Sequence, residues 1–134
     1  MEAARTILEE NIIGTLATVN SDNTAWATPL HIFFDDEAVY WFSHQPARHS
    51  KNILNNPSAS VVVFSPDKTD GLKAAYFNGT ATILNKAASD AARQLVLSRL
   101  GSIPETFASA AAYKLPFGSL NTEKSFGNCW YFYS

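Results

Sequence analysis

Apolar positions along the chain alternate between two periods, and the switches between them mark the elements. Ala3, Ile7 and Leu8 fall near one helical face of the first residues, after which Ile12 to Val19 brings β-branched residues in quick succession. This predicts a short helix followed by a strand. Asn20-Ser21-Asp22-Asn23 offers side chains that bond their own backbone in turns. Trp26 to Phe34 then alternates, with Trp26, Thr28, Leu30, Ile32 and Phe34 on one face, so a hairpin is expected. Asp35-Asp36-Glu37 forms a second polar turn, and Val39 to Ser43 completes a three-stranded antiparallel meander.

From Pro46 to Asn56 the pattern is helical, with a proline in the first turn and Pro57 closing the far end. Ala59 to Phe64 and Ala74 to Leu84 read as strands, and Gly79 marks a bulge or a close backbone approach. Lys86 to Leu100 spaces Ala88, Ala92, Leu95 and Val96 as a helix does, and Gly101 is suited to a left-handed terminator. Ser102 to Phe126 mixes an alanine run with Pro104, Pro116 and Gly118 and gives no consistent assignment. Gly127 to Tyr133 is too aromatic for a loose tail and is read as a final strand. The expectation is a mainly β fold of about six strands, closed as a small antiparallel barrel with inserted helices.

The length of 134 residues fits one domain, expected to run over 1–134, and 46% hydrophobic residues suffice for a core without disulfide or metal staples. Ten Lys and Arg against twelve Asp and Glu leave a net charge of −2, which argues against nucleic acid as the main partner. The start shows no apolar run with a cleavage site, and no segment reaches about 18 uninterrupted apolar residues, so a cytoplasmic protein without membrane contact is expected. Cys129 stands alone, which excludes an intrachain disulfide or a thiolate-rich zinc site.

Candidate chemistry gathers where the third strand hands over to the second helix. Arg48, His49 and Lys51 lie within four residues of one another, beside Ser43 and Ser50. A helix N-terminus already offers unpaired N–H groups and partial positive charge, so these side chains suit a phosphate monoester; the competing reading is a solvated basic face. Asp35-Asp36-Glu37 is read as a solvated turn or a hard-metal site. The three histidines lack the paired spacing that sets metal ligands on one helix face, and no serine sits in a strained elbow motif with an identifiable base.

Gly14-Thr15-Leu16-Ala17-Thr18-Val19, Ala27-Thr28-Pro29-Leu30, Ser43, Arg48-His49 and Asn55-Asn56-Pro57, in this order, resemble the pyridoxamine 5′-phosphate oxidase-like FMN-binding split-barrel family across nearly the whole chain. The resemblance implies a split β-barrel homodimer with FMN between the subunits. It assigns Arg48 to the FMN phosphate, with His49 standing where the family has lysine and Lys51 compensating one turn on. It also lays Thr28, Pro29, Leu30 and His31 along the isoalloxazine edge.

The chain ends at Cys129-Trp130-Tyr131-Phe132-Tyr133-Ser134 without the Arg-Leu and Pro that help substrate-oxidising members hold pyridoxamine phosphate. The ending is similar to that of the small bacterial branch without an assigned substrate, so vitamin B6 oxidation is not the expected activity. Trp130 either flanks the flavin or packs in the core, and His31 either touches the cofactor edge or finds an interior partner. Function is therefore expected to be FMN binding with flavin redox chemistry on an unknown small molecule. The alternatives are a haem- or deazaflavin-binding split barrel, with His31 or His44 as an axial ligand to haem, and a cofactor-free dimeric binding module.

Overall fold

The computed structural model describes residues 2–67, 71–127 and 129–134. Helix α1 (Glu2–Glu10) precedes β1 (Ile13–Val19) and β2 (Ala25–His31), followed by β3 (Phe33–Phe34), β4 (Ala38–Ser43) and α2 (Arg48–Asn55). Then come β5 (Ser58–Asp67), β6 (Gly71–Thr80), β7 (Thr82–Ile83), α3 (Lys86–Leu100), α4 (Glu105–Ala108), β8 (Ala111–Pro116) and β9 (Trp130–Tyr133). The strands form a five-stranded sheet in the order β2-β1-β5-β6-β9 and a four-stranded sheet in the order β3-β4-β8-β7.

The mainly β class with inserted helices holds, and the strand count is corrected from six to nine among the described residues. Two expected strands are each broken where the chain leaves one sheet for the other. Ile32 separates β2 from β3, its N–H donating to the Ile12 carbonyl at 2.7 Å, and Ala81 separates β6 from β7, donating to the Pro57 carbonyl at 2.8 Å. The expected meander is therefore a β1–β2 hairpin in one sheet and a β3–β4 hairpin in the other. The unassigned stretch contains α4 and β8, and β8 pairs with β4 from Ala38↔Pro116 to Ser43↔Ala111. The sheets are not wholly antiparallel, because β9 runs parallel to β6. Of the expected last strand, Asn128 lies outside the described residues.

The interior lies between the sheets. Leu16, Trp41, Val61, Val63, Phe77, Tyr113 and Leu115 are fully buried there, and α1 plugs one end through Ala4, Ile7 and Leu8 rather than through the exposed Ala3. Strand β4 is buried on both faces, since Val39 and Trp41 point into this core while Ala38, Tyr40 and Phe42 face a second cluster with Ala92, Val96 and Phe107 from α3 and α4. Such two-sided burial explains why Ala38 to Phe42 is an unbroken apolar run. Helix α3 carries its expected punctuation: Asn85 Oδ1 accepts from the Ala88 N–H at 2.9 Å, and Gly101 ends it at φ 79°. Arg99 of α3 donates to the last carbonyls of α1, Leu8 and Glu9, at 3.0 and 2.8 Å.

Candidate functional site

Helix α2 is held against the β1–β2 hairpin by two contacts one helical turn apart. Asn52, buried, donates from Nδ2 to Thr18 Oγ1 at 3.0 Å and to Asn20 Oδ1 at 2.9 Å. Arg48, four residues earlier, lays its guanidinium over the Trp26 ring, 4.6 Å from the centroid. Thr18 and Trp26 are themselves cross-strand partners, so the hairpin register and the helix repeat set both contacts together. The helix starts at Arg48 rather than in a turn containing Pro46, because Ala47 stays extended as the N-cap while its N–H closes a turn onto the His44 carbonyl at 3.1 Å.

Ala47 has no side chain to cap the helix, so nothing on that side chain occupies the amides of the first turn. Immediately beside them, Ser43 Oγ and His49 Nε2 share a hydrogen bond of 2.6 Å. Burial holds the His49 imidazole below its ordinary pKa, so the neutral form is favoured. Ser43 thus has a basic neighbour six residues on. No carboxylate among the described residues orients this imidazole as a nucleophile-activating triad would require.

Arg48 and Lys51 are exposed, and among the described residues no carboxylate lies within ion-pair distance of either. Together they line an open groove of about 580 Å³ between the outer face of α2 and the hairpin turn, with Asn20, Ser21, Pro46, Asn52 and Asn55. Among the described residues, no acidic one lines it. The Asp22 carboxylate, next in sequence to Ser21, feels the Arg48 charge but is held low chiefly by accepting from the Thr24 hydroxyl and N–H at 2.6 and 3.1 Å.

The other candidates separate. Thr28 and Leu30 lie on the face of β2 that carries Trp26, opposite Leu16 and Gly14, and both are half-buried. Pro29 and His31 lie on the reverse face and are exposed, His31 meeting Phe107 edge-on at 5.4 Å. Strand β2 is a sheet edge paired only with β1, which leaves its outer side open. Trp130 stands on β9 at the opposite edge of the same sheet, stacked on Tyr76 at 6.0 Å, and is not brought near Arg48 within one chain. His44 is an exposed loop residue.

The acidic turn is spent on structure. Asp35 Oδ1 accepts from the Glu37 and Ala38 N–H groups at 2.8 and 3.0 Å, Oδ2 accepts from the Tyr40 hydroxyl at 2.8 Å, and Asp36 pairs with Arg5. No metal-holding group of His, Cys, Asp or Glu occurs among the described residues. Sequence reasoning missed Trp26, Asn52 and Asn55 as parts of the site. The spacing 48, 51, 52, 55 on one helix face was a signal for the asparagines, whereas nothing local pointed to Trp26.

The sequence model of the family described as pyridoxamine 5′-phosphate oxidase matches residues 1–117. None of the curated proteins compared with the chain matches it significantly. Among solved structures, a haem-binding protein from Mycobacterium smegmatis superposes with a TM-score of 0.71 at 24% identity, over 85% of this chain and 49% of that one. The haem storage protein from Vibrio cholerae gives 0.70 at 19% identity, over 86% and 87% of the two chains. An FAD-binding protein from Mesorhizobium loti gives 0.65 at 24% identity, over 84% and 86%. The chain spans about half the length of the Mycobacterium protein. At these identities the likenesses establish the fold, a split barrel, and no helix of the described residues is long and apolar enough to cross a membrane.

Proposed function

The chain belongs to the pyridoxamine 5′-phosphate oxidase family, and from that premise we propose that it binds FMN as a homodimer and serves flavin redox chemistry on a small molecule. The observation that carries this reading is the pair of exposed cations, Arg48 and Lys51, with no carboxylate in ion-pair distance among the described residues, beside the uncapped start of α2 on a chain whose net charge is −2. Exposed basic side chains and free first-turn amides make a donor set that suits a phosphate monoester. The residues present therefore fit the phosphate end of FMN.

In this reading Arg48 supplies the charge-assisted, planar contact to the phosphate, and Ser43 and His49 form a hydrogen-bonded pair at its side. Lys51 adds the second positive charge that the neutral His49 does not. Thr28, Pro29, Leu30 and His31 run along the ring edge on the open side of β2, and Trp130 of the partner copy closes the flavin pocket. When bound, the flavin supplies the redox chemistry. The chain's own residues bind and orient it, and no side chain of the site is assigned a proton-transfer role.

The absorbance spectrum of the purified protein, with mass spectrometry of what denaturation releases, tests the proposal. Two broad near-ultraviolet and blue bands and release of FMN are expected. An intense Soret band would move the reading to haem, and colourless protein that does not respond to added FMN would end the flavin assignment.

A further inference from the structure

Helix α3 covers the face of the four-stranded sheet turned away from the barrel interior, and the fit between them is incomplete. On that face Tyr40 of β4 and Lys114 of β8 are cross-strand partners. Opposite them α3 presents Ala88, Ala91 and Ala92, whose side chains end at Cβ, and a partly open cavity of about 170 Å³ remains between helix and sheet. Leu84 and Leu95 complete its apolar wall. The size suits one ring, since an apolar cavity of about 150 Å³ takes benzene.

The polar part of the wall is also defined. The Tyr40 hydroxyl donates to Asp35 Oδ2 at 2.8 Å, so its oxygen is left as an acceptor. Burial, with that bond to Asp35, pushes the Tyr40 phenol up and keeps it protonated. The Lys114 ammonium lies 5.9 Å from the Tyr40 ring centroid and 3.5 Å from the exposed Glu37 carboxylate, an ion pair that leaves further N–H groups to give. Asp35 and Lys114 are one carboxylate and one ammonium, so the lining has no net charge.

We propose that this cavity binds a small uncharged aromatic alcohol, its ring against the alanine face of α3 and its hydroxyl donating to the Tyr40 oxygen while accepting from Lys114. A carboxylate in its place would meet Asp35, and an ammonium would meet Lys114. The cavity shares no residue with the groove along α2, so the proposal stands apart from the flavin reading.

Titrating phenol into the full chain, followed through the NMR resonances of the Tyr40 ring and the Ala88 methyl, tests this. Phenol is expected to bind with a dissociation constant of about 1 mM or below, and benzene, benzoate and benzylamine at least about tenfold more weakly. Ala88→Leu should fill the cavity and abolish phenol binding, and Ala91→Leu, at an exposed position that folding tolerates, should do the same. Lys114→Met, which keeps the apolar stem and removes the donor, should bring phenol down to the affinity of benzene. FMN affinity should be unchanged in all three variants. Benzoate or benzylamine binding as tightly as phenol, phenol binding that survives in Ala91→Leu, or Tyr40 and Ala88 resonances that do not move would each overturn the site.

Discussion

Replacing Arg48 by alanine separates binding from folding, because the side chain makes one contact within the apoprotein and is proposed to make another with FMN. Its apoprotein contact is the cation–π approach to Trp26 at 4.6 Å, with that ring 40% exposed, and such exposed pairs contribute about 0.5–1 kcal/mol. Alanine recovers a few tenths of that through its higher helix propensity. The net loss of stability is therefore expected below about 1 kcal/mol, readable in urea unfolding. The phosphate contact is charge-assisted and contributes about 1.5–3 kcal/mol, so the dissociation constant for FMN should rise by about ten- to over a hundredfold. Titrating FMN into the apoprotein and following flavin fluorescence reads this directly. Arg48→Lys should fall between the two, keeping the charge but losing the planar fork and the stacking surface. An unchanged affinity for FMN in Arg48→Ala would remove the residue from the site, whatever its effect on stability.

The same geometry makes three other changes measurable. Asn52→Ala leaves the buried Thr18 hydroxyl without its donor and unties α2 from the hairpin; about 1–3 kcal/mol of stability should disappear in urea titrations, and a loss near zero would show that the bridge holds nothing. Gly14→Ala drives a Cβ to 2.8 Å from the buried Ile32 Cγ1 and 3.1 Å from the Val62 carbonyl oxygen, so overpacking should cost about 1–3 kcal/mol, whereas a wild-type unfolding midpoint would mean that Ile32 has room to give. The depressed pKa of His49 means that the unfolded chain takes up its proton first as pH falls, so the stability this group contributes is present above about pH 6.5 and is lost as pH falls through its lower folded value. Phosphate binding works in the opposite sense, since a neighbouring anion favours the charged imidazole: FMN affinity should fall as pH rises through the pKa of free His49, and His49→Lys should flatten that dependence. A wild-type profile as flat as the lysine variant's would exclude His49 from contact with the phosphate.

What could be read from the chain alone was what local chemistry decides. Helix α3 was legible because Asn85 and Gly101 are capping residues that act within one turn of themselves. Strand β8 was not, because Ala110-Ala111-Ala112 has the intrinsic preference of a helix and becomes a strand only by pairing with β4 and burying Tyr113 and Leu115 between the sheets. The break at Ile32 was hidden for a related reason: the face read off Trp26, Thr28, Leu30, Ile32 and Phe34 runs on past the point where the strand changes sheets, and a period of two carries no information about which neighbour is being paired. The parallel direction of β9 is equally invisible to a hydrophobic pattern.

The candidate site divides along the same line. Ser43, Arg48, His49 and Lys51 lie in one nine-residue stretch, so the strand-to-helix handover brought them together in the sequence reading as it does in the fold. Trp26 and Asn20 come from a hairpin more than twenty residues upstream and reach α2 only because Thr18 and Trp26 share a register position. The consequence is physical. A one-residue slip of the β1–β2 register would turn Trp26 to the other face and take away the surface on which Arg48 rests, without altering any residue of the basic segment. The cations come from local sequence, but their placement depends on the pairing of a distant hairpin, so a hairpin substitution such as Trp26→Leu should weaken FMN binding through Arg48 while leaving every proposed phosphate ligand in place.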